Sequence, residues 1–244
     1  MPGQQQERGA PATVRIAADL VAVSTRSTST DAARAGSSAK KGELMAAPFR
    51  AFIDESSADR GSGHQEYLVC AALLTADSYA DARDLLRPLL LPGQIKLHWT
   101  GESERRRRVI VSRIVELGPM NIVVSHRDLR RRRVERYRRK CLEMLYHELI
   151  GLEVFDLTLE CRSTAQDRDD RAHIVGLQAQ GLDRRLRIAH RRGGDEPLLW
   201  IADAVLGAIN SARLGDHRHL DELRTTLIIE SRTPESLVAI DSGP

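Results

Sequence analysis

The chain has 244 residues, 41% of them hydrophobic, enough for one domain of ordinary core size or one domain with a tail. No apolar run reaches the about 18 residues a membrane span needs. The three cysteines (Cys70, Cys141, Cys161) are scattered without a CxxC pair, which argues against a disulfide framework or zinc ribbon and for a reducing, cytoplasmic setting. Formal net charge is only +3, so global charge names no partner. Its distribution says more: four of the 37 basic residues are lysines (Lys40, Lys41, Lys96, Lys140), leaving 33 arginines. A GC-rich coding sequence produces the same preference.

Residues 1–47 are rich in Ala, Ser, Thr, Gly and Arg and hold no aromatic residue, so they read as a disordered tail. A second reading is that they are untranslated, with Met45 rather than Met1 as the start. The expected domain is 48–232, and 233–244 is expected to be a flexible C-terminal tail. Phe49-Arg-Ala-Phe-Ile-Asp54 is a first strand, followed by a loop with Gly61 and Gly63. Glu66 to Thr75 is a nearly continuous apolar run, the pattern of a strand buried on both faces.

Asp77 or Ser78 can cap a helix to about Leu91, which Pro92-Gly93 stops. Lys96-Leu-His-Trp99 reads as a short strand, and Thr100 as the cap of a helix over 103–117 that Gly118-Pro119 ends. Asn121-Ile-Val-Val-Ser125 is another strand. A long helix over 130–152 places Val134, Tyr137, Cys141, Leu145, Leu149 and Leu152 on one face, at spacings of three and four. Phe155 to Glu160 alternates as a strand. The polar stretch 162–172 leads into a helix, and Arg191 to Asp195 is a loop. Pro197 opens a helix to about Arg213, and Thr226 to Glu230 is a last strand. Strands alternating with helices imply an α/β sheet with helices on its faces. There is no internal repeat.

Three acids stand at informative places. Asp54, with Glu55 after it, and Glu160 end strands, where α/β proteins place functional groups. Asp203 lies in an otherwise apolar helix, Leu198 to Leu206, where a carboxylate is expensive to bury without a partner. Mg²⁺ prefers oxygen ligands, and a pair of such ions about 3.5–4 Å apart can activate water and steady the leaving oxygen of a phosphodiester. The structural alternative is a turn role for Asp54 and arginine partners for Glu160 and Asp203. His98 can act as an acid–base group, a ligand, or a local hydrogen-bonding residue. His217 and His219, near Asp216 and Asp221, look like a polar loop. No HExxH, P-loop, GxSxG or GxGxxG pattern is present.

Two arginine runs stand out, 105–108 and 127–140, the second including Arg130, Arg131, Arg132 and Arg133. Cations in the first turn of a helix are disfavoured by the macrodipole, by roughly 0.3–1 kcal/mol each. Binding of a nucleic-acid backbone explains such a run, and so does a solvated face.

Four segments, in order, resemble the domain-of-unknown-function family 3800. Phe52-Ile-Asp-Glu-Ser56 is similar to its opening strand, and Lys96-Leu-His-Trp99 to its short Lys- and aromatic-containing strand. Leu159-Glu-Cys-Arg-Ser163 resembles its strand ending in Asp-x-Arg. Leu199 to Gly207 resembles its closing helix with Gln-x-Ala-Asp. The resemblance covers about residues 48–232 and implies a ribonuclease-H-like mixed sheet flanked by helices. It implies a Mg²⁺- or Mn²⁺-dependent nuclease or phosphodiesterase acting on nucleic acid. By this matching Asp54, Glu160 and Asp203 would be its metal ligands and catalytic acids, with Glu55 and Arg162 in support. Beside the resemblance, His98 is a further catalytic candidate, and Arg130, Arg131, Arg132, Arg133 and Arg162 are the candidate nucleic-acid contacts. Ser57 in place of Gly, Trp200 in place of Gln and the longer Glu160 in place of Asp depart from the pattern. The alternative expectation is a non-catalytic nucleic-acid-binding or protein-interaction module of the same fold. DNA versus RNA, and oligomeric state, do not follow from the sequence.

Overall fold

The hydrophobic pattern is resolved in a computed structural model, which describes residues 49–129 and 134–237. The expected tail 1–47 and Arg130 to Arg133 lie outside the described residues. Six strands form one sheet: β1 (Phe49–Asp59), β2 (His64–Thr75), β3 (Met120–Leu129), β4 (Asp156–Glu160), β5 (Arg187–Arg191) and β6 (Leu227–Arg232), in spatial order β5-β4-β1-β2-β3-β6. β1, β2 and β3 run as an antiparallel meander, while β4 pairs parallel to β1, β5 parallel to β4 and β6 parallel to β3. Every strand except β2 therefore points the same way. The α/β class and the mixed sheet flanked by helices match the expectation from sequence.

The helices are α1 (Tyr79–Leu86), α2 (Glu104–Leu117), α3 (Val134–Gly151), α4 (Thr164–Ala179), α5 (Leu199–Ala212) and α6 (Arg218–Leu223). Alternation along the strands divides the core in two. Phe52, Leu68, Cys70, Ala72 and Val123 pack with α1, α2, α5 and α6 on the near face. Ala51, Ile53, Val69, Ala71 and Ile122 pack with α3 and α4 on the far face. β2 is buried on both sides, which explains why it reads as an unbroken apolar run rather than an alternation. α5 is buried almost all round, having the sheet beneath it and neighbouring helices beside it.

Local signals set several boundaries. Gly118 takes φ +60° and closes α2 with its N–H on the Ile114 and Val115 carbonyls. Ser163 and Gln166 form a capping box that starts α4 inside the polar stretch 162–172.

Four expectations are corrected. Lys96 to Trp99 is not a strand: it is an irregular segment running into a 3-10 turn, Trp99–Gly101, and no strand pairs with it. Ser103, not Thr100, precedes α2. β5 went unrecognised because Arg187–Arg191 is an edge strand with exposed arginines and little apolar signal. The presumed polar loop around His217 and His219 contains α6, with His219 buried against Glu104 of α2. In addition, residues 233–237, expected to be flexible, are tied down. Thr233 N–H donates to the Ser125 carbonyl at 2.9 Å and Leu237 N–H to the Arg127 carbonyl at 2.8 Å.

Candidate metal centre

Strand geometry builds the site. Residues 52 and 54 of β1 point to the near face, and in the parallel neighbour β4 the pairing Ile53↔Leu159 sets Asp54 beside Glu160. α5 crosses the same face against β1 and carries Asp203. The irregular segment after Gln94 brings in Lys96, His98 and Trp99. Its Lys96 Nζ lies 2.5 Å from Glu160 Oε1. Trp99 N–H donates to Asp203 Oδ2 at 2.7 Å, and His98 Nδ1 lies 3.2 Å from Asp203 Oδ1. Three predicted acids and His98 are thus gathered on one side of the sheet, at the carboxyl ends of two parallel strands, the place where α/β sheets bind ligands.

Packing rather than charge holds this constellation. Trp99 is buried and lies flat against Gly207 of α5, where an added Cβ would sit 2.1 Å from Trp99 Cγ. That contact fixes the backbone N–H that grips Asp203. Trp200, at the place where the resembling family has Gln, donates its indole N–H to the Gly193 carbonyl at 2.6 Å. Gly193 in turn leaves room for the Lys96–Glu160 pair: a Cβ there would come 2.7 Å from Glu160 Oε1 and 2.9 Å from Lys96 Cδ.

The electrostatics are unbalanced. Burial, then the neighbouring Asp203 and Glu160 charges, push the Asp54 carboxyl up to about 8, against the Glu55 backbone N–H and Lys96. Burial also raises Asp203, against the Trp99 N–H and His98. Lys96 is held above the usual lysine range: burial opposes its charge, but the Glu160 hydrogen bond and the three carboxylates outweigh it. An ion would displace the Asp54 proton, and the three carboxylates facing one ammonium would then carry the surplus negative charge that a hard divalent cation neutralises. Oxygen donors from separate elements, with Asp54 in no ion pair among the described residues, fit Mg²⁺ or Mn²⁺.

Of the remaining predicted residues, Glu55 and Arg162 are not brought there. Glu55 projects to the far face, where Arg138 of α3 donates to both its carboxylate oxygens at 2.6 Å and Tyr67 donates as well. Arg162 joins the same network, paired with Asp170 at 3.1 Å and Glu135 at 3.3 Å. Arg138 is 2% exposed and also bridges Asp170 at 2.5 Å, while His190 of β5 reaches Asp170 at 3.1 Å. Burial would raise the Asp170 carboxyl, but the His190 and Arg138 hydrogen bonds hold it well below the usual range.

The arginine run 105–108 is divided: Arg105 and Arg108 are exposed, and Arg106 and Arg107 are half-buried. Arg106 pairs with Glu102, Arg107 lies over the Trp99 ring at 5.1 Å, and Arg108 pairs with Glu104. Sequence reasoning missed Lys96 as a partner of Glu160 and Arg138 as a core residue. The second was visible, since Arg138 falls four residues from both Val134 and Leu142 and so lands on the apolar stripe of α3.

Among the described residues, two other sets of three ligating side chains close to within 4.8 Å, Asp167–Asp170–His190 and Glu104–Asp216–His219. Both are already neutralised by arginines: Arg138 and Arg162 in the first, Arg218 in the second. The Asp54–Glu160–Asp203 trio is not among the sets that close so tightly, and Glu160 Oε1 is held by Lys96.

Neither a protein-family model nor a curated protein sequence matches this chain. In structure it is similar to a chain of the PCNA:RNase HII complex from Archaeoglobus fulgidus, with 15% identity over 72% of this chain and 76% of that one, at a TM-score of 0.37. It is also similar to a mutant protein of Bst-RNase HIII, with 14% identity over 84% of this chain and 62% of that one, at a TM-score of 0.39. The fold is ribonuclease-H-like on its own strand order: an antiparallel three-strand meander, extended on the β1 side by two parallel strands joined through helices. Among the described residues no helix is long and apolar enough to cross a membrane.

Proposed function

We propose that this protein is a Mg²⁺- or Mn²⁺-dependent nuclease or phosphodiesterase acting on nucleic acid in the cytoplasm. We assign its domain to 48–232 and its kinship to the domain-of-unknown-function family 3800. The observation that carries the reading is the convergence of Asp54 (β1), Glu160 (β4) and Asp203 (α5) on one half-buried spot with more negative charge than the protein itself cancels. Asp54, Glu160 and Asp203 would hold the ion, which when bound would lower the pKa of a water and stabilise charge on a phosphodiester.

The chain's own residues do the rest. Trp99 N–H fixes Asp203, and His98, donating from Nδ1 to Asp203, leaves Nε2 facing outward to take or give a proton. Arg191, paired across the sheet with Glu160, and Arg192 are exposed on the rim, where they can hold a phosphate backbone. Arg130 to Arg133 remain proposed phosphate contacts. Glu55 and Arg162 are assigned to the scaffold rather than to the substrate.

Titration calorimetry with Mn²⁺, alongside cleavage of radiolabelled RNA and single-stranded DNA, tests this on wild type and Asp54→Ala. Metal binding and cleavage in wild type are expected. In the variant, cleavage should fall by ~100-fold or more, the several kcal/mol that metal charge stabilisation contributes. A second reading, a non-catalytic module of the same fold, draws on Lys96 and His98 already partnering two of the acids. Wild type that binds no metal but retains salt-dependent nucleic-acid binding would establish it instead.

A further inference from the structure

We infer that the centre takes one divalent cation, not two, and that the Lys96 ammonium is its built-in second positive charge. The inference rests on the metal-dependent reading above and specifies its stoichiometry. Phosphodiester chemistry on a two-ion site needs two positive centres, one for the attacking oxygen and one for the leaving oxygen. Here one positive centre is already tethered among the acids.

Three observations carry it. Lys96 Nζ sits 2.5 Å from Glu160 Oε1 and close enough to Asp54 and Asp203 to feel both charges. The pair is seated in a fixed place, since the backbone of Gly193 lies where any Cβ would strike both Glu160 and Lys96, and Trp200 pins that glycine. Glu160, so held, turns Oε1 to the ammonium and keeps Oε2 for a ligand. Asp54, Asp203 and that single Glu160 oxygen remain for one ion.

Charge decides between one ion and two. An ion entering the site would displace the Asp54 proton, and the three carboxylates less the Lys96 ammonium would then leave two negative charges, which one divalent ion cancels. Two ions beside Lys96 would leave a surplus of two positive charges at a half-buried site, at a distance where like charges repel strongly. Replacing Lys96 by a neutral residue removes that obstacle and frees Glu160 Oε1 as a second ligand oxygen.

Mn²⁺ alone is the probe. Calorimetry gives the stoichiometry, and low-temperature electron paramagnetic resonance separates single Mn²⁺ from coupled pairs. Sites are counted as those lost in Asp203→Asn, which discounts ions held elsewhere. The expected result is one ion in wild type, one in Lys96→Arg, and two, with a coupled signal, in Lys96→Met. Lys96→Gln serves should the methionine variant fail to fold, as judged by circular dichroism. Two coupled ions in wild type would overturn the inference and leave the metal-dependent nuclease reading intact. One ion in the folded neutral variants would also overturn it, because Lys96 would then occupy no cation position. No ion in wild type would remove the metal-dependent reading itself.

Discussion

Asp54 and Glu55 are neighbours in one strand, yet the sheet sends them to opposite electrostatic worlds. On the far face, Glu55 meets Arg138, Tyr67 and, through Arg138, Asp170, His190 and Arg162, so that every buried charge there has a charged partner. On the near face, Asp54, Glu160 and Asp203 share one ammonium, and Asp54 is pushed up to about 8. The far face spends its polar groups on cross-linking β1, α3, α4 and β5. The near face leaves charge unanswered and holds its acids by the shape of Trp99, Gly193 and Gly207. Folding alone favours the first arrangement, since unpaired buried charge is destabilising. A region that keeps the second is the stronger candidate for function.

The sharpest way to break the contrast is to unbalance the far face. Arg138→Met removes the guanidinium, strands Glu55 without a counter-charge and leaves Asp170 only Arg162 and His190. A loss of about 3–5 kcal/mol is expected in urea denaturation, the cost of removing one partner of a buried ion pair. Wild-type stability in that variant would mean that the network is ornamental and that the two faces do not differ as described.

The near face answers to shape. Gly207→Ala drives a methyl into the Trp99 ring, so a cost of about 1–3 kcal/mol is expected from overpacking. Trp99 should shift with it, seen as a change in tryptophan fluorescence and weaker Mn²⁺ binding. Unchanged fluorescence and metal affinity would show that Asp203 needs no such support.

A smaller effect, of opposite sign, is expected at Asp54. Its folded-state value of about 8 lies above the ordinary 3.8, so the folded state binds the proton more tightly. The stability this contributes is present at low pH and lost as pH rises through about 8. Asp54→Asn cannot ionise. In metal-free buffer it should equal wild type near pH ~4 and exceed it increasingly as pH rises toward ~8, where the wild-type carboxyl must ionise in a buried place. Parallel stability curves for the two proteins across that range would place Asp54 in a solvated or paired environment.

Much of the fold was visible in the residues. The apolar run of β2, the three-and-four spacing on α3 and the glycine after α2 are local signals, and each marked its element. β5 was not, because an arginine-rich edge strand buries too little side chain to leave a pattern. Lys96 to Trp99 misled because its backbone is extended around His98 without a partner strand. Of the site, Asp54, Glu160, Asp203 and His98 were legible from strand ends and from an acid out of place in an apolar helix.

What composition and periodicity decided was which segments are strands and helices, and which acids are expensive. Which of those acids meet was decided only by the packed sheet. Period-two alternation separates Asp54 from Glu55, a parallel register brings Glu160 alongside, and α5 delivers Asp203 from some 150 residues away. Sequence distance carries no record of that proximity. It arises when the two cores close on either face of β1, and with it comes the charge imbalance that marks the site.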